Sequence, residues 1–204
     1  MKDLLYSSRS FGLGLVLGGI GLCGCDPASR SYGQSALAPA ELDSLYWSFV
    51  KSGEVKDAQA FMAAYDRSKP TSDKLYTYYI SCLLVDGQGA RALNSVDSVL
   101  QEQPRALDIR ELKLGVLEAL DSVVGKAELV REIDSLYMAR LASILSAHEP
   151  FSIEVNNDLF NYLAFRTKYI GMESSKVLYE EQRMRIDPDQ RPHFEALFDT
   201  TLER

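Results

Sequence analysis

The sequence predicts an all-α fold built from helical hairpins, and three observations carry that expectation. Beyond Pro39 apolar residues recur at three- and four-residue steps, the period of one face of a helix. No run of strict polar–apolar alternation persists, so strands are not expected. Gly53 and Gly87 lie 34 residues apart, as do Ala58 and Ala92, and as do Pro70 and Pro104. A hairpin gives that spacing a physical reason. Its turn favours glycine, its close helix contact favours alanine, and proline cannot continue the helix it follows.

Taken in order, Leu42, Leu45, Tyr46, Phe49 and Val50 form the stripe of a first helix that ends at Gly53. Residues 56–65 make a second helix, carrying Ala58, Phe61, Met62 and Tyr65, and Pro70 follows it. The next hairpin repeats the pattern as Tyr76-x2-Tyr79-Ile80-x2-Leu83 and Ala92-x3-Val96-x2-Val99-x4-Pro104. Residues 105–156 keep no proline at the 34-residue step; 107–120 and 127–147 read as two helices around Gly125, the second elongated. Phe160-x2-Leu163-Ala164-x2-Thr167 opens a last hairpin, in which Gly171 and Pro188 are 17 apart, as are Gly53 and Pro70. Its second helix departs from the pattern, with Lys176 where alanine is expected and Ser175 one step early. Residues 193–202 supply a closing helix with Phe194, Leu197 and Phe198 on one face.

A repeated 34-residue hairpin with these marks resembles the tetratricopeptide repeat (TPR) family. The first unit matches as Leu42-x2-Leu45-Tyr46-x2-Phe49 and Ala58-x3-Met62-x2-Tyr65-x4-Pro70, and the resemblance covers most of residues 39–190. It implies a right-handed α-solenoid of TPR-like helical hairpins, whose first helices line a concave face that takes a protein or peptide. Residues out of phase with the packing positions would face that groove. These are Asp43, Trp47 and Val50, then Lys74, Thr77, Ser81 and Leu84, then Asn161, Phe165 and Lys168. Trp47, the lone tryptophan, is the natural interface anchor. Two alternatives stay open: Trp47 packing under the preceding segment or a neighbouring repeat, and Phe165 lying in the core three residues after Tyr162.

The first 24 residues carry a different signal. Lys2 and Arg9 precede an apolar run over 11–22, too short for a bilayer span of about 20 residues but suited to the hydrophobic region of a secretory signal. Leu22-Cys23-Gly24-Cys25 follows and resembles the lipobox of bacterial lipoproteins. The resemblance implies cleavage after Gly24, diacylglycerol on the Cys25 sulfur and acyl chains such as palmitate in the anchor. Two or three chains hold stably where one is marginal. Residues 26–38 are small and polar without a period, and read with Cys25 as a tether ahead of one repeat domain over 39–204. The expected location is the bacterial cell envelope, lipid-anchored; inner or outer membrane stays open.

Composition narrows the partners. A net charge of −7 over 204 residues argues against nucleic acid and against charge-driven binding to anionic lipid. Of three cysteines only Cys25 and Cys82 remain after cleavage, so no intramolecular disulfide framework is expected. Cys82, within Ile80-Ser81-Cys82-Leu83-Leu84, reads as a buried thiol.

No catalytic constellation stands out. His148 and His193 are far apart, and there is neither a glycine-rich phosphate loop nor a Gly-x-Ser-x-Gly elbow. Gly87-Gln88-Gly89 reads as a turn beside a helix-end Asp86, and Glu180-Glu181 and Asp187-x-Asp189 as surface or capping acids. The chain is therefore expected to be no enzyme, with no cofactor and no metal. It reads as a lipid-anchored scaffold or adaptor for an envelope protein or peptide. The alternative is a carrier or chaperone enclosing a lipid or peptide.

Overall fold

The computed structural model describes residues 36–146 and 150–199, without the side chain of Ser143. Cys25, His148 and Leu202 lie outside the described residues. The described chain is all-α, with no strand in it. It falls into two compact units, one ending at Val123 and the other beginning at Val124.

The first unit contains α1 (Pro39–Ser52), α2 (Val55–Ser68), α3 (Asp73–Val85), α4 (Gly89–Glu102) and α5 (Leu107–Ala119). Proline suits the first turn of α1 because its missing N–H would have no partner there. The Glu41 side chain takes the Ala38 N–H at 2.9 Å. Gly53 ends the helix in the left-handed region (φ 67°), returning its N–H to the Phe49 carbonyl at 2.8 Å. Ser72 caps α3 by accepting from the Leu75 N–H. Each helix packs on the next, and α1 also touches α3, and α3 touches α5. Their shared core holds Leu42, Phe49, Phe61, Leu75, Ile80, Leu83, Val96 and Val116. Ala58 and Ala92 are both fully buried, as expected of small residues at close helix contacts. Gly89 serves a different purpose: a Cβ there would lie 2.2 Å from Leu120 Cδ2, so any side chain at the start of α4 would displace the Leu120 side chain at the end of α5.

The second unit contains α6 (Lys126–Ser146), α7 (Ile153–Tyr169), α8 (Met172–Gln182), a 3-10 turn (Arg183–Arg185) and α9 (Arg191–Ala196). α6 is elongated to 21 residues, as the sequence indicates. It buries Leu129, Ile133, Tyr137 and Leu141, one residue per turn, so its packed stripe is narrow. Ser152 caps α7 by accepting from the Val155 N–H. Ser175, not Lys176, fills the small-residue position of α8; it is fully buried and its hydroxyl donates to the Gly171 carbonyl at 2.9 Å. Arg185 closes the end of α6, donating to the Ile144 carbonyl at 2.6 Å and the Leu145 carbonyl at 3.0 Å while lying over the Phe151 ring. A cation at the last turn of a helix also meets the negative end of its dipole.

The closing helix departs from expectation. It starts at Arg191, before the expected 193, because Pro192 fits a first turn, and it ends at Ala196. Phe194 is buried, edge-on to Phe160 at 5.3 Å, while Leu197 and Phe198 are half-buried beyond the helix.

Candidate functional site

The face shared by α1 and α3 gathers most of the expected groove residues. Asp43, Trp47 and Val50 recur along α1 at steps of four and three; Lys74, Thr77 and Ser81 recur along α3 at steps of three and four. Helical residues so spaced share a face. The two rows are joined by an ion pair, Lys74 Nζ to Asp43 Oδ1 at 2.7 Å. The Asp43 carboxylate is also the main reason the Lys74 ammonium is held above its ordinary pKa.

Beneath this face lies an aromatic floor. Tyr46 and Tyr78 stack at 3.5 Å between ring centroids and 6° between planes. Tyr46 is further edge-on to Phe61 at 5.7 Å. Burial pushes the Tyr46 hydroxyl up to about 12, with nearby Cys82 and Tyr78 adding to it. Trp47 stands on this floor, edge-on to Tyr46 at 5.9 Å and to Tyr78 at 6.5 Å, yet 44% of it stays exposed. Val50 is exposed beside it. The indole is thus held by aromatic neighbours and still open to a partner. Offset or edge-on rings add about 0.5–1.5 kcal/mol per pair beyond area burial.

The hydroxyls of the face are turned inward on their own helix. Thr77 donates to Asp73 at 3.1 Å and Ser81 to Thr77 at 3.0 Å on α3. Lys74 and Thr77 are exposed, Asp43, Ser81 and Leu84 half-buried. Cys82, next to Ser81, is fully buried, and burial raises its thiol to about 12. Its nucleophilic thiolate is correspondingly disfavoured.

On α7 the expected set splits. Asn161 and Lys168 are exposed, the Lys168 ammonium lying 4.7 Å from the Tyr169 ring centroid. Phe165, expected at the surface, is a core residue. It is 6% exposed and packs against Tyr137 at 5.8 Å and Tyr169 at 5.2 Å. The cause is the width of the buried arc. α7 packs on both α6 and α8, so Leu159, Tyr162, Leu163 and Phe165 are all covered.

Three networks escaped the sequence reading. Asp66, Tyr79 and Arg91 join α2, α3 and α4. Asp134, Tyr162 and Arg166 join α6 and α7, and Glu195, Tyr179 and Arg183 join α9 to α8 and its 3-10 turn. In each a tyrosine hydroxyl donates to a carboxylate, and an arginine binds that carboxylate or the hydroxyl. In each the tyrosine also stacks on an aromatic neighbour: Tyr65, Tyr137 and Phe194 respectively. The pairs Tyr162 and Arg166, and Tyr179 and Arg183, have a legible four-residue spacing; the other partners are separated by long stretches of chain.

Polar chemistry elsewhere is dispersed. A wide-mouthed cleft of about 330 Å³ in the second unit is lined by Lys176, Tyr179, Glu180, Arg183, Glu195, Phe198 and Asp199. Glu195 there is engaged by Tyr179 and Arg183. Asp86 ends α3 and accepts from Gln59 at 2.8 Å and from Gln88, which together lower its pKa. His193 is exposed. Among the described residues no three His, Cys, Asp or Glu side chains gather as a metal site, and no helix is long and apolar enough to cross a membrane.

No protein-family model, curated protein or solved structure matches this chain.

Proposed function

We propose that this chain is a lipid-anchored scaffold of the bacterial cell envelope, binding a protein or peptide partner on the α1/α3 face without catalysis. The observation that carries the reading is Trp47, a large aromatic side chain held upright by Tyr46 and Tyr78 and 44% exposed. Exposed, pre-positioned tryptophan is the kind of group that dominates interfaces, because little rotamer entropy is lost when a partner closes on it. The finer architecture belongs to the same proposal: TPR-like hairpins wound as a right-handed α-solenoid. Glycine turns at Gly53 and Gly87 and direct packing of first helices, α1 on α3 and α3 on α5, support it. The lipid anchor rests on Leu22-Cys23-Gly24-Cys25 alone.

The experiment is crosslinking in cells that make the protein, comparing it with Trp47→Ala, followed by mass spectrometry of what co-purifies. Envelope proteins present with Trp47 and absent without it establish the scaffold. Unchanged recovery of every partner removes the α1/α3 face from the binding role. Mass spectrometry of the same material tests the anchor: an acylated Cys25 at the new terminus is expected, and an unmodified Cys25 ends that part of the reading.

A further inference from the structure

The loop between α5 and α6 has properties that neither helix packing nor partner binding explains. Val123 is 83% exposed and Val124 81% exposed, so two adjacent branched apolar side chains stand in water. The loop is bracketed by left-handed residues, Asp121 at φ 50° and Gly125 at φ 73°. The bonds that close α5 stop just short of the pair, with the Asp121 N–H on Glu118 at 3.0 Å and the Ser122 N–H on Leu117 at 2.9 Å. No residue from 119 to 128 is buried.

Proteases need an extended stretch that fits their cleft, and exposed loop tips supply it at least cost. The loop between α4 and α5 is the nearest rival, since residues 97–108 also include none that is buried. It differs in kind. The Val99 and Leu100 of α4 that lead into it pack against the core, and Pro104 occupies its tip. At 123–124 the side chains that a small aliphatic pocket would accept are already free.

We propose that Val123–Val124 is a processing site for an endopeptidase selective for small aliphatic side chains. The step is hydrolysis: water adds across one peptide bond, leaving a carboxylate on the valine before the cut and an amine on the residue after it. The scissile bond follows Val123 or Val124. On the lipid-anchored reading, the cut severs the covalent link between Cys25 and α6–α9. The cleavage itself needs no lipid and is read on the purified chain, so it stands or falls separately from the anchor.

The test is limited digestion of the full chain with pancreatic elastase as the probe, followed by intact-mass measurement of the first products. The first cut between residues 36 and 199 is expected after Val123 or Val124. Val123→Asp/Val124→Asp should slow that cut by about tenfold or more, because a carboxylate would have to enter the enzyme's apolar pocket. Both changes lie at exposed positions, and a helical circular-dichroism spectrum like that of the parent separates resistance from misfolding. A first cut at another bond in that range, no cut at all, or an unchanged rate in the double variant overturns the proposal.

Discussion

The Tyr79 hydroxyl donates to the Asp66 carboxylate at 2.8 Å, and one Arg91 nitrogen reaches both, at 2.6 Å from the hydroxyl and 2.8 Å from the carboxylate. Tyr79 is 6% exposed, so its ring belongs to the core while its polar tip sits where three helices meet. Without those partners the hydroxyl would be left buried and unpaired. Tyr79→Phe keeps the ring and the Asp66–Arg91 ion pair and removes only the hydroxyl. Denaturant unfolding should show a loss of about 1 kcal/mol. No loss would mean that the ion pair alone secures the junction.

The tyrosines set an alkaline limit. Burial is the main cause that raises Tyr46, Tyr65, Tyr79 and Tyr162 from 10.0 to about 12. Between those values the folded chain keeps protons that the unfolded chain has released. Stability from these groups is therefore intact below pH 10 and falls as pH rises toward 12. Spectrophotometric titration should show tyrosines ionising late in the folded protein and near the ordinary value in denaturant. Early ionisation of all of them under native conditions would contradict their burial.

Trp47 and Phe165 separate surface from core. Trp47→Ala should cost about 1–2 kcal/mol, since two edge-on ring contacts are lost while nearly half of the residue already faces water. Phe165→Ala should cost about 3–5 kcal/mol through lost burial and a cavity beside Tyr137 and Tyr169. Equal costs for the two would undo the distinction.

Arg185 tests the end of α6. Arg185→Met keeps much of the stem that covers Phe151 but removes the donors to Ile144 and Leu145. A loss of about 2 kcal/mol is expected by thermal unfolding, the range for hydrogen bonds from a charged donor. Arg185→Lys should recover part of it, since an ammonium still meets the helix dipole.

Helix order was legible because its signals are local. Gly53, Gly87 and Gly171 end helices with positive φ, and Pro70 and Pro104 follow second helices, as their spacing implies. The α1/α3 half of the face was legible too, since Trp47 and Lys74 needed only helical phase to place them. Phe165 was not. Phase alone assumes one buried stripe per helix, and α7 is covered by two neighbours. The Asp66–Tyr79–Arg91 junction was equally hidden, because its partners belong to three helices and no local rule pairs them.

The inward-turned hydroxyls of Thr77 and Ser81 give the α3 side of the face a chemical polarity. Their protons are engaged by backbone carbonyls one turn back, and their outward lone pairs are not. Along α3 these side chains can receive hydrogen bonds but have no hydroxyl proton ready to give. A molecule settling there with N–H groups finds ready acceptors, whereas one presenting carbonyls must turn to the Lys74 ammonium or the Trp47 indole for its donors.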